Sequence, residues 1–135
     1  MDLLKTFKTN KDREQNGVWV LMDDQKSRLK IARWGNQRFK DAMQRKMQRY
    51  QMAARAKTIP DEMYRTMLNE VIQDTILLDW ENMTWGNEPF AYTPEHVLQA
   101  LELDDFRNEV TGFAQDMANF KEELDEGTEK NSGRP

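Results

Sequence analysis

Two short apolar runs near the start of the chain constrain the fold more than any other feature. Val18-Trp-Val-Leu-Met22 and Arg28-Leu-Lys-Ile-Ala-Arg-Trp34 flank the polar stretch Asp23-Asp-Gln-Lys-Ser27. In the second run Leu29 and Ile31 fall on one face and Arg28, Lys30 and Ala32 on the other, the two-residue period of a strand. Such runs around a turn-forming stretch predict a β-hairpin over 18–34 with a five-residue loop. An isolated hairpin is marginal in water, so the rest of the chain must provide a surface for it to pack on.

The rest reads as helices. Asn36 follows Gly35 as a plausible N-cap, and Phe39, Ala42, Met43, Met47, Tyr50 and Ala54 then recur mostly at spacings of three and four. This predicts an amphipathic helix over about 37–56 whose other faces carry Arg38, Lys40, Arg45, Lys46 and Arg49. After Pro60, the stripe Met63, Met67, Val71, Ile72 and Ile76 predicts a second helix over about 61–80. Thr93 as N-cap and Pro94 at the first helical position open a short helix over about 94–102. A last helix over about 105–124 follows Asp104, with Phe106, Val110, Phe113, Ala114, Met117, Phe120 and Leu124 as its apolar stripe. Between the second and third helices, Trp85, Phe90 and Tyr92 sit in a stretch with Gly86 and Pro89, which reads as an ordered loop packing its rings on the core edge beside Trp80. The expected class is therefore mainly α with a small N-terminal β-hairpin, an α+β domain of four helices over 1–124. Residues 125–135 contain no large apolar side chain and read as a disordered acidic tail.

A chain of 135 residues has room for one core. No apolar run approaches the ~18 residues needed to cross a bilayer, and Met1-Asp-Leu-Leu-Lys-Thr-Phe7 lacks the uninterrupted apolar centre of a secretory signal. With no cysteine there is no disulfide framework and no thiol chemistry. The expected location is the cytoplasm of the cell that makes it, with no membrane partner.

The net charge of −4 conceals a segregation. Residues 26–57 hold 11 Lys and Arg against the single acid Asp41, a net of +10, whereas residues 58–135 hold 5 against 18 acids, a net of −13. A charge distribution of this kind either folds onto itself or meets a partner. Arg38, Arg45 and Arg49 form the basic face that could approach phosphates, but the acidic half and a pI near 5.1 oppose a polyanion. Nucleic-acid binding through that helix is accordingly the lesser alternative.

Catalytic chemistry has little to draw on. His96, the only histidine, lies in the first turn of a helix, and a structural role suits it better than a catalytic one. Asp104-Asp105 and Glu122-Glu123 suit a helix start and a solvated end, and Gly35, Gly86 and Gly112 are too isolated to cradle phosphate. The expectation is a protein that is not an enzyme, with no catalytic residues, no metal ligands and no cofactor. Binding has one candidate: Met43 and Met47 on the first long helix and Met63 and Met67 on the second share the i, i+4 spacing, and methionine adapts to varied apolar partners. The same four residues could equally be ordinary core.

Several segments stand in order along the chain: Gly17-Val18-Trp19, Leu29-Lys-Ile-Ala-Arg33 with Trp34-Gly35-Asn36, Asp79-Trp80-Glu81-Asn82, Pro89-Phe-Ala-Tyr92, Thr93-Pro-Glu95, Asp105-Phe-Arg107, Asn119-Phe120 and Glu129-Lys-Asn131. Together they resemble the tail assembly chaperones of long-tailed bacteriophages. The resemblance implies a helical protein that binds the tape measure protein, helps recruit tail tube subunits, and is absent from the mature virion. It also implies a longer form made by ribosomal frameshifting, for which Lys130-Asn131 can be encoded by a slippery AAA AAC and through which the tail tube protein would be met. A structural component of the particle, such as a head-tail connector, is the alternative.

Overall fold

The hairpin forms where the two apolar runs place it, and a third strand completes its sheet. The computed structural model describes residues 1–54 and 58–121. Strands β1 (Val18–Leu21) and β2 (Arg28–Ile31) pair antiparallel, with Val18 opposite Ile31 and Leu21 opposite Arg28. Asp24 organises the connection: its carboxylate accepts from the Ser27 hydroxyl (2.6 Å), the Ser27 N–H (2.8 Å) and the Lys26 N–H (3.0 Å). These bonds hold its carboxyl down at about 2, against an ordinary 3.8.

The helix expected over 61–80 ends early. Helix α4 runs Asp61–Thr75, and Leu77–Glu81 is strand β3, antiparallel to β2 with Leu29 opposite Trp80. Ile72 and Ile76 fit a helical stripe, but Ile76-Leu-Leu-Asp-Trp80 fits a strand equally well. The open edge of β2 decides between them, because it offers this run a ladder of backbone hydrogen bonds over the core. The Ala32 N–H donates to the Ile76 carbonyl (2.8 Å) where the chain changes from helix to strand. The sheet order is β1-β2-β3.

The expected loop after β3 is itself a miniature hairpin of β4 (Thr84–Trp85) and β5 (Glu88–Pro89). Gly86 and Asn87 turn it with φ of 56° and 71°, as a two-residue turn with two left-handed positions requires. Helix α3 (Gln37–Ala54) starts at the expected cap, the Asn36 side chain accepting from the Phe39 N–H at 3.0 Å. Helix α5 (Pro94–Leu101) is capped by Thr93, and α6 spans Asp104–Gln115.

The last helix is shorter than its apolar stripe. Asp116 is extended and caps Ala118, turning the chain into a 3-10 helix at Met117–Phe120. That turn carries Phe120 into full burial. Two short helices were not expected: α1 (Leu3–Phe7), capped by Asp2, and α2 (Lys11–Asn16), capped by Asn10. The class is the expected α+β, mainly helical, with all four anticipated helices present. The acidic tail expected over 125–135 lies outside the described residues.

One core joins these elements. Leu29 and Ile31 of β2, Ala42 of α3, Val71 and Ile72 of α4, Leu77 of β3, Val97 and Leu101 of α5, Val110 and Ala114 of α6, and Phe120 are all fully enclosed. The inward residues of the sheet thus find the helical surface that the hairpin alone lacked.

Candidate functional site

Trp80 gathers three aromatic side chains of the C-terminal half, Phe90, Tyr92 and Phe106. Its Nε1–H donates to the Phe90 carbonyl at 2.8 Å, and its ring stacks on Phe90 with centroids 5.6 Å apart. Tyr92 meets it edge-on at 5.4 Å and Phe106 at 6.5 Å. The Tyr92 hydroxyl donates to the Leu77 carbonyl at 2.5 Å, and burial pushes that phenol up from its ordinary pKa. His96 belongs to the same cluster, stacked on Phe90 at 4.2 Å with Nδ1 2.7 Å from the Ala91 carbonyl. A carbonyl can only accept, so Nδ1 carries the proton and the ring acts as packing. Trp80, Phe90, Tyr92 and Phe106 come from three separate motifs that carry the tail-chaperone resemblance, and they converge here as architecture.

The motif at Leu29–Ile31 and beyond has a second anchor. Arg33 donates from Nη1 to Glu14 Oε2 (2.5 Å) and from its backbone N–H to the Glu14 carbonyl (2.7 Å), tying α2 to the end of the hairpin. Burial pushes the Glu14 carboxyl up, but bonds from Thr9, Arg33 and Lys11 outweigh it and hold the group below its ordinary value. The Arg33 guanidinium also lies over the Phe120 ring at 5.9 Å.

Helices α3 and α4 are joined by a buried-edge contact. Tyr50 donates its hydroxyl to Glu70 Oε1 at 2.6 Å, and Lys46 lies 3.4 Å from the same oxygen. Burial and the Glu70 carboxylate push the Tyr50 phenol up to about 12. With Arg28 paired to Glu81 of β3 (2.6 Å), part of the basic segment does fold onto acids. Arg38, Arg45 and Arg49 are exposed, and no ion pair involves them among the described residues.

The four methionines do not form one open groove. Met67 is fully enclosed and Met43 packs half-buried against the core, while Met47 and Met63 are half-buried. Spacing at i, i+4 places residues on one helix face, and the face shared by two packed helices is the buried one. The exposed apolar side chains near this pair are others: Met52 at 73% and Tyr64 at 39%, in the last turn of α3 and the first of α4. Met52 had a legible signal, since it falls off the apolar stripe of its own helix. Leu3, Leu4 and Phe7 on α1 are also exposed, as is Trp85 at the hairpin tip, which rests on Phe90 at 5.1 Å. Among the described residues no group of His, Asp and Glu is arranged to hold a metal, and no helix is long and apolar enough to cross a membrane.

A family model described as YdaY prophage protein matches residues 34–131. The chain belongs to the YdaY prophage protein family. It is thus a phage-derived protein. No curated protein and no solved structure matches it. The YdaY span opens at Trp34, so it takes in α3 through α6 and the whole Trp80 cluster but leaves out α1, α2 and the β1–β2 hairpin. Met52, Tyr64 and the Arg38, Arg45 and Arg49 face all lie inside the YdaY span.

Proposed function

We propose that the protein is a tail assembly chaperone, a non-enzymatic, cofactor-free binder of the tape measure protein. It works in the host cytoplasm, helps bring tail tube subunits to the growing tail and is absent from the finished virion. Support comes from membership in a prophage family and from the order of the resembling segments along the chain. Within the molecule, the supporting observation is the exposure of Met52 and Tyr64 with half-buried Met63 where α3 ends and α4 begins. A tape measure protein is long and rich in apolar helix, and adaptable methionine surface beside exposed arginines suits such a client. The overall negative charge keeps the complex soluble. Tube subunits would be met by a longer, frame-shifted form continuing past Lys130-Asn131.

Co-expression tests this directly. A tape measure fragment should stay soluble with this protein, and the double variant Met52→Asp, Tyr64→Asp should lose that effect while melting like the parent. A fragment that precipitates beside the unaltered protein rejects the chaperone assignment, and one kept soluble by the double variant rejects this surface. Mass spectrometry of purified particles should miss the chain; its presence at structural copy number would favour a connector. An early stop in the −1 frame after Asn131 would exclude the longer form.

A further inference from the structure

The outer strands of the sheet, β1 and β3, differ in how their free edges are treated. On β3 the outward groups find partners within the molecule: the Leu77 carbonyl accepts from the Tyr92 hydroxyl (2.5 Å), and the Trp80 N–H donates to the Asp79 carboxylate (2.8 Å). On β1 the Met22 N–H donates to the Ser27 carbonyl (2.8 Å), and the register Val20 to Leu29 and Val18 to Ile31 turns the even-numbered residues toward β2. The N–H and carbonyl groups of Trp19 and Leu21 therefore point away from the sheet. None of them has a hydrogen-bond partner among the described residues. Such a row of free donors and acceptors pairs readily with an added strand, and edges are usually blunted by a charge, a proline or a bulge. Val18-Trp-Val-Leu21 carries no charge and no proline, and the one register shift lies between β2 and β3.

The strand that fits this edge is a second copy of itself. About a two-fold axis at Val20, an antiparallel copy sets Trp19 of each chain opposite Leu21 of the other, and each such pair exchanges both of its backbone hydrogen bonds. The same register brings the half-buried Trp19 and Leu21 side chains together on the outer face, where Trp19 already lies under the Arg28 guanidinium at 4.6 Å. The nearest charges do not oppose the approach, since Arg28 is paired with Glu81 (2.6 Å) and Lys30 stands opposite Asp79. Because β3 satisfies its own outer edge, pairing closes at two copies instead of running on into a filament. We infer that the protein forms a two-fold dimer through β1, with one sheet ordered β3-β2-β1-β1-β2-β3 across the two copies. The seam belongs to residues 18–21, whereas the surface assigned to the client belongs to α3 and α4, so each assignment can fail without the other.

Sedimentation equilibrium of the full chain should show a monomer–dimer equilibrium and nothing larger. Leu21→Pro removes an N–H that points outward, and Leu21→Lys puts a charge into the seam; both should stay folded by circular dichroism and weaken the dimer about ten-fold or more. The absence of cysteine allows a second readout that needs neither variant. In this register Val20 faces Val20 of the second copy at about 4.5 Å between Cα atoms, within disulfide range, while the two Leu21 positions lie beyond about 7 Å. Oxidised Val20→Cys should therefore give about ten-fold more interchain disulfide than Leu21→Cys. A parent that stays monomeric overturns the dimer and leaves the edge to an extended segment of another protein. A dimer that persists in both Leu21 variants, a larger assembly, or equal disulfide yields at positions 20 and 21 overturns pairing through β1.

Discussion

Trp80 donates its indole N–H to the carbonyl of Phe90 at 2.8 Å and lies against the ring of the same residue, ten positions along the chain. One residue thus closes the β4–β5 excursion at its base, and α5 begins four residues later with its ring-to-ring contact from His96 already in place.

Separating the two roles of Trp80 gives the first prediction. Trp80→Phe retains a ring but orphans the Phe90 carbonyl, and should cost about 1 kcal/mol. Trp80→Ala removes a ring that is only 6% exposed and should cost about 3–5 kcal/mol. Urea unfolding measures both, and equal losses would mean that the hydrogen bond alone matters.

The Glu14–Arg33 pair should hold α2 to the hairpin. Glu14→Gln leaves Arg33 and the Thr9 hydroxyl without their charged acceptor, and should cost about 1–3 kcal/mol. In a double-mutant cycle with Arg33→Gln the losses should be less than additive. Additive losses would show that the two side chains act independently.

Acid should loosen the β1–β2 turn late. The folded-state pKa of Asp24 lies below its unfolded 3.8, so its contribution is complete above that value and disappears as pH falls from 3.8 through about 2. Carboxyl NMR titration should place its midpoint near 2, and Ser27→Ala should raise it. A midpoint near 3.8 in the parent would remove the three-bond cap.

Base should act on the α3–α4 contact. Tyr50 has a folded pKa raised from 10 to about 12, so its contribution is complete below pH 10 and is lost as pH rises through 12. Phenolate absorbance should therefore show a tyrosine ionising near 12 that vanishes in Tyr50→Phe and moves down in Glu70→Gln. An unshifted titration in Glu70→Gln would assign the rise to burial alone.

What the sequence determined by itself was local. Two runs around Asp23–Ser27 specify a hairpin because strand period and turn chemistry agree, and Asn36 and Thr93 mark helix starts because their side chains can satisfy free N–H groups. Tertiary structure decided the rest. Whether Leu77–Glu81 continued a helix or joined a sheet depended on an open strand edge brought from 46 or more residues upstream in the register Leu29 to Trp80. Which methionines are enclosed depended on which helix faces meet, so Met67 became core while Met52, off the stripe, stayed in water. Helices α1 and α2 are too short for periodicity to reveal. They are held by caps, by Arg33 and by the strand-like contact of Thr9 with Lys121, partners that only the folded chain brings within reach.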